Sequence, residues 1–289
     1  MYIQFSIVTL ITLFASVVTA PVVQAVPNYP WLVQQSHIYN ATDSIEKRIP
    51  LPEGYKRVPV QPGSFQEWLR GLPLLKGKPP VMLYNGQLRE GQDSHHAVVN
   101  LDIGTRNLQQ CADAIMRLRA EYLFSQQRLE SIHFNFTSGE RVDFIRWAKG
   151  ERPVVHKNRT TWRREGIQDS SYRSLRDYLE TVYQYAGTYS LSRELKPVDD
   201  PQKLQIGDIF IQGGFPGHCV IVVDVAVHEN TGEKIFLLAQ GFTPAQSVHL
   251  LKNPKDEELC PWYSVNFGNI LPTADCVFYK QDLMRFYGE

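Results

Sequence analysis

Apolar residues recur along this chain in three rhythms. From Phe5 to Ala20 they form an almost unbroken run. Farther on, Leu108, Cys111, Ala112, Ile115, Leu118 and Tyr122 fall three or four residues apart, which predicts an amphipathic helix with Cys111 in its first turn on the buried face. Asn107 and Gln110 have the spacing of a capping box at its start. The third rhythm is that of strands. Ile209, Phe210 and Ile211 form a short apolar run, QGGFPG is a loop, and His218 opens the β-branched strand VIVVDV.

The intervening segments predict a mixed architecture. Residues 26–63 are polar and proline-rich and should wrap the surface. Ser64 caps a short helix, FQEWLRGL, and Asn85-Gly86 centres a hairpin in VMLYNGQLR. Ala97–Ile103 reads as a strand, SIHFNFT alternates like one, and SGERVDFIRWAKG reads as a helix capped by Ser138. A basic connection, ERPVVHKNRTTWRRE, leads to a helix from Tyr172 to Ala186. KIFLLAQ, SVHLL and CVFYKQDLMRF close the chain as strands. The expected fold class is α+β, with a leader over residues 1–25, an N-terminal extension with a short helix and hairpin over 26–97, and the main domain over 98–289.

Composition narrows the function. Of 289 residues 43% are apolar, enough for a substantial core. Thirty Lys and Arg balance thirty Asp and Glu without a basic block, so nucleic acid is not an expected partner. The first apolar run followed by Val23-Gln24-Ala25 reads as a secretory signal cut before Val26. No Lys or Arg precedes it, and an uncleaved anchor is the other reading, although the run is shorter than the roughly 20 residues a span needs. The expected location is therefore periplasmic or extracellular, with no stable membrane span after processing. In that setting Cys260 and Cys276 could pair, or stay free. No Cys-x-x-Cys occurs, and the adjacent His95 and His96 would point to opposite faces of a strand, so neither metal nor cofactor is expected. Asn40, Asn135 and Asn158 begin Asn-x-Ser/Thr sequons.

Candidate chemistry centres on Cys111. The free N–H groups and dipole of a helix's first turn favour a thiolate, and the same donors can bind an oxyanion, with Gln109 or Gln110 as side-chain candidates. The competing reading is a buried core cysteine. His218, at the mouth of its strand beside Gly217, is the candidate base. Asp224 is six residues farther on, roughly 20 Å in an extended strand, too far to orient that imidazole. Gln240 serves better. A three-residue turn at Asn230-Thr231-Gly232 would pair Glu229 with Glu233 and put Gln240 opposite Val222, on the His218 face. About 13 Å of offset would remain, for twist or a bulge to remove. Gln246 is held in reserve. Alternation sends Cys219 to the opposite face, with Ile221 and Val223, as a structural residue.

Cysteine at a helix start, then GDIFI, Gly-His opening an apolar strand, and a polar residue on the next strand resemble the NlpC/P60 group of papain-like cysteine peptidases. The resemblance implies a helix bearing Cys111 packed on an antiparallel sheet, with Cys111 as nucleophile, His218 as base and Gln240 as third member. It also implies an amide or peptide substrate in the cell envelope. The 107 residues between Cys111 and His218 require an inserted strand and helices, and Ala112-Asp113 stands where that group favours a small Ser-Gly pair. QCADAIMRLRAEYL, YAGTYSLSREL, LQIGDIFIQGGFPGH and FLLAQGFTPAQSVHLLKNP resemble a family of exported bacterial proteins known as a domain of unknown function. The expectation is an exported cysteine hydrolase acting on a peptidoglycan-like substrate. The rivals are an inactive papain-like module that binds envelope peptides or glycans, and a structural envelope protein.

Overall fold

A computed structural model describes Met1 and residues 27–34 and 37–289. The apolar run at Phe5–Ala20 and the cut after Ala25 lie outside the described residues. Three short helices come first: α1 (Pro30–Gln34), α2 (Ile45–Arg48) and α3 (Phe65–Arg70). Ser64 caps α3 as expected, its hydroxyl accepting from the Glu67 N–H at 3.1 Å. The segment before Val98 is woven into the main sheet through β1 (Tyr55–Arg57) and β2 (His95–Val98). At Asn85-Gly86 the chain reverses, with the Leu83 N–H bonded to the Gln87 carbonyl at 2.8 Å.

The next helix, α4, runs from Cys111 to Ser125 and is buried from Cys111 to Leu123. It packs on the sheet on one side and is covered by neighbouring helices on the other, so even Arg117 and Glu121 are enclosed, paired at 3.3 Å. Its cap lies three residues later than expected. Gln110 is the N-cap, and its N–H bonds the Asp113 carboxylate at 3.0 Å, whereas Asn107 accepts from the Ala245 N–H at 2.8 Å. Cys111 is thus the first helical residue.

Two expectations fail between α4 and the sheet. SGERVD is not helical: Gly139 turns at φ 89°, and β3 (His133–Asn135) pairs with β4 (Arg141–Asp143), so α5 is only Phe144–Ala148. The basic connection is a hairpin, β5 (Glu151–His156) with β6 (Arg159–Arg164). Arg146 and Arg152 lie over Trp162 and Trp147 at 4.0 and 3.8 Å, so aromatic faces hold these cations. Helices α6 (Tyr172–Tyr185) and α7 (Thr188–Leu191) follow.

The remaining chain completes an antiparallel sheet with β7 (Leu195–Pro197), β8 (Ile209–Gln212), β9 (His218–His228), β10 (Lys234–Gln240), β11 (His249–Leu251) and β12 (Tyr263–Ser264). A hairpin of β13 (Ile270–Pro272) and β14 (Val277–Tyr279) lies beside it, and β15 (Leu283–Phe286) ends the sheet. Among the described residues the sheet has nine strands in the order β2-β11-β10-β9-β8-β15-β7, with β1 on β9 and β12 on β10. Strand β9 is buried from His218 to Ala226 because α4 and α3 cover one side of the sheet and the aromatic cluster around Phe210 and Phe236 fills the other. The chain is therefore α+β, with a central helix on a large antiparallel sheet.

Candidate active site

The β9–β10 register decides where the polar residues meet. The His228 N–H bonds the Glu233 carbonyl at 2.7 Å, so four residues form the loop and the pairing differs by one from the expected register. A bulge between Leu237 and Leu238 moves it by one more, and Val222 faces Leu238 rather than Gln240. Both shifts carry Gln240 toward the start of β9. The offset is closed, and His218 Nε2 lies 2.8 Å from Gln240 Oε1. The reserve residue, Gln246, is buried on a bridge to Leu83.

Close backbone approach brings Cys111 to the same place. A side-chain carbon on Gly241 would lie 2.9 Å from the Gln110 carbonyl and 3.0 Å from Ala114, so glycine lets the end of β10 touch the start of α4. Gly217 is equally tight, with the Gln212 carbonyl 2.6 Å from where a Cβ would stand. Cys219, His218 and the Ala112 N–H stand close enough to the Cys111 sulfur to favour its anion. The Cys219 bond, then the His218 bond and charge, overcome the opposing burial and bring the Cys111 thiol down to about 4. Cys219 is thus part of the site as well as of the core. Burial and the neighbouring thiolate push its own thiol well up, so it keeps the proton it donates.

A polar relay fixes the imidazole. Gln240 Oε1 accepts from His218 Nε2–H, so Nδ1 is the nitrogen left for the thiol. Gln240 Nε2 donates to Asp275 Oδ2 at 2.6 Å and to His249 Nε2 at 3.2 Å, and Asp275 is in turn bound by Arg89. His249 donates through Nδ1 to the Ser247 carbonyl at 2.8 Å. Burial holds its pKa at about 4, so it stays neutral. Phe242 and Phe278 flank the His218 ring at 4.8 and 5.8 Å. Asp224, six residues along β9, is bound by Arg57 and Arg70 and takes no part.

These groups open onto a cavity of about 640 Å³ lined by Cys111 and His218 together with Leu108, Thr188, Phe215 and Phe242. That volume suits a small-molecule or peptide-segment ligand. Gln110 lines it, but Gln109 does not, because its Oε1 accepts from Arg117 at 2.7 Å inside the core. Asn107, missed as a donor, lines the cavity with its Oδ1 already accepting, which leaves Nδ2 to donate. Asp275, Arg89 and His249 also escaped sequence reading. Only Gly241 after Gln240 offered a local signal. Cys276 lines the cavity, and all four cysteines are free, so of the two states open to Cys260 and Cys276 the structure has the free thiols.

The molecule is an α+β domain whose central helix and sheet bring a cysteine, a histidine and a glutamine together at a cavity. It belongs to the family described as Domain of unknown function (4846), which matches residues 45–285. No curated protein and no solved structure matches the chain.

Proposed function

We propose that this protein is an exported cysteine hydrolase with a papain-like, NlpC/P60-like core, cleaving an amide or peptide bond of a cell-envelope substrate such as peptidoglycan. The observation that carries the reading is the Cys111–His218–Gln240 relay at a cavity, with Cys111 lowered to about 4. A thiolate paired with an imidazolium is the resting form of such a nucleophile.

In the reaction the Cys111 sulfur attacks the substrate carbonyl carbon, and the carbonyl oxygen takes the negative charge. The Cys111 N–H at the start of α4 and the Asn107 amide are the donors for that oxyanion. The C–N bond breaks as His218 gives its proton to the leaving amine, which leaves a thioester on Cys111. Water then attacks the thioester, with His218 taking its proton, and the acid departs from sulfur. An amine or hydroxyl in place of water would give acyl transfer from the same thioester. Export rests on the apolar run at Phe5–Ala20 and the small-residue cut at Ala25.

Incubation with purified peptidoglycan tests the reading. The wild-type protein is expected to release soluble fragments, and Cys111→Ala to release none. Substoichiometric iodoacetamide near pH 6 should label Cys111 before Cys219, Cys260 or Cys276 in the folded protein. An unreactive Cys111 would overturn the nucleophile assignment. Sedimentation of that protein with cell wall would then favour the binding module.

A further inference from the structure

Among the described residues, two buried polar atoms on side chains that line this cavity have no partner. Asp113 Oδ1 and the Tyr183 hydroxyl are buried without a hydrogen bond, and both residues line the cavity that holds Cys111. Their residues are 6% and 7% exposed. A buried polar atom without a partner is costly, and retaining two at one cavity requires an account. Capping explains only half of Asp113, because Oδ2 takes the Gln110 N–H and Oδ1 is left over. Packing explains the Tyr183 ring on α6 but not its hydroxyl.

The charge around the pair selects the ligand. Among the described residues no Lys or Arg lines the cavity, and the other carboxylate there, Asp275, is engaged by Arg89 and Gln240. An anionic group would meet the Cys111 thiolate with only the His218 ring nearby, and the thiolate already engages that ring. Burial raises Asp113 well above the ordinary carboxylate range, opposed by the Gln110 N–H and reinforced by the thiolate, which favours its neutral form. A carboxylic acid and a phenol can each donate one hydrogen bond and accept another.

We propose that Asp113 and Tyr183 form a recognition subsite for an uncharged polar group of the substrate, a carboxamide or a hydroxyl, held close to the bond that Cys111 attacks. Asp113 donates from Oδ1 to the oxygen of that group, and the Tyr183 hydroxyl completes its hydrogen bonding. The proposal rests on Cys111 being the nucleophile and adds what the cavity selects. It favours envelope peptides carrying an amidated or hydroxyl-bearing residue at this place over those carrying a free carboxylate.

Three alkylating probes of similar length test it: chloroacetyl-glycinamide, chloroacetyl-glycine and chloroacetyl-aminoethylamine, which end in a neutral, an anionic and a cationic group. Rates of Cys111 alkylation are normalised to those with glutathione. The neutral probe should lead the anionic one by about tenfold or more in the wild type, the scale of one good hydrogen bond together with avoided charge repulsion. Tyr183→Phe and Asp113→Ala should each cut that preference to below about threefold, whereas Asp113→Asn, which keeps both the cap and a neutral donor, should retain most of it. An unchanged preference in Tyr183→Phe and Asp113→Ala, or a lead for the cationic probe, would overturn the assignment.

A second measurement separates the subsite from the nucleophile. In Cys111→Ala, acetyl-glycinamide should shift the ¹³C carboxyl resonance that Asp113→Asn removes, and acetyl-glycine should not. No shift defeats the subsite even if Cys111 alkylates readily. A shift in a protein whose wild-type form resists all three probes upholds the subsite and defeats the nucleophile.

Discussion

Strand β9 buries two ionisable side chains, His218 at its start and Asp224 six residues on, and treats them in opposite ways. At Asp224 both carboxylate oxygens are saturated, with Arg57 Nε and Arg70 Nε each at 2.7 Å and the Val225 N–H at 2.9 Å. The guanidinium groups are themselves tied to the Ile49 and Val58 carbonyls at 2.7 and 2.9 Å. At His218 only one ring nitrogen is tied, to Gln240, while the other faces a thiol over an open cavity. A closed set of charges resists change and holds a fold. One left open toward a cavity, on a rigid strand, can take part in a reaction.

The largest expected effect breaks the open end. His218→Ala removes proton transfer, typically worth about 10²–10⁴ in rate. Turnover of the peptidoglycan substrate should fall by that factor while the melting temperature stays close to wild type. A drop in melting temperature of the same size as in the Asp224 variant would place His218 among the structural groups instead.

Asp224→Ala should do the reverse. Removing the carboxylate strands the buried Arg70 and the half-buried Arg57, a loss of about 3–5 kcal/mol. Chemical denaturation should show that loss, and thiol alkylation of the folded fraction should be unchanged. A slowed Cys111 would show that the two sites are coupled through the strand.

Gln240→Ala sharpens the contrast within the relay. The imidazole loses one hydrogen bond to its charged form, worth roughly 1.5–3 kcal/mol, so turnover should fall about 10- to 100-fold. An effect as large as that of His218→Ala would mean that Gln240 does more than orient the ring.

The smallest effect concerns pH. With its pKa lowered to about 4, Cys111 should alkylate at a nearly constant rate from neutral pH down to about pH 5. Below about 4 the thiolate takes up its proton, and the rate should fall about tenfold per pH unit. Cys219 makes the largest contribution to that lowering, so Cys219→Ala should move the midpoint upward. A midpoint that stays in place in Cys219→Ala would assign the lowering to His218 and the helix start.

Local pattern alone carried much of this molecule, because helix and strand periods are properties of neighbouring residues. The repeat from Leu108 to Tyr122 marked α4 and put Cys111 in its first turn, and the Gly-His step placed His218 at the mouth of β9. Strand period and turn chemistry even selected Gln240 over Asp224. The β5–β6 hairpin stayed hidden because neither strand has a buried face, so its residues carry no apolar alternation, and its cations rest on tryptophans brought by folding. The approach of Gln240 to His218 depended on one extra loop residue and on a bulge, both settled by how β10 packs between β9, β11 and β12. Asp275, Arg89, His249 and Tyr183 come from separate segments, and nothing local marks them as neighbours. Sequence by itself determined which residues have the chemistry for a thiol site. Only the tertiary structure decided which of them meet and which buried atoms are left without a partner, because contact between distant segments depends on packing and register across the whole sheet.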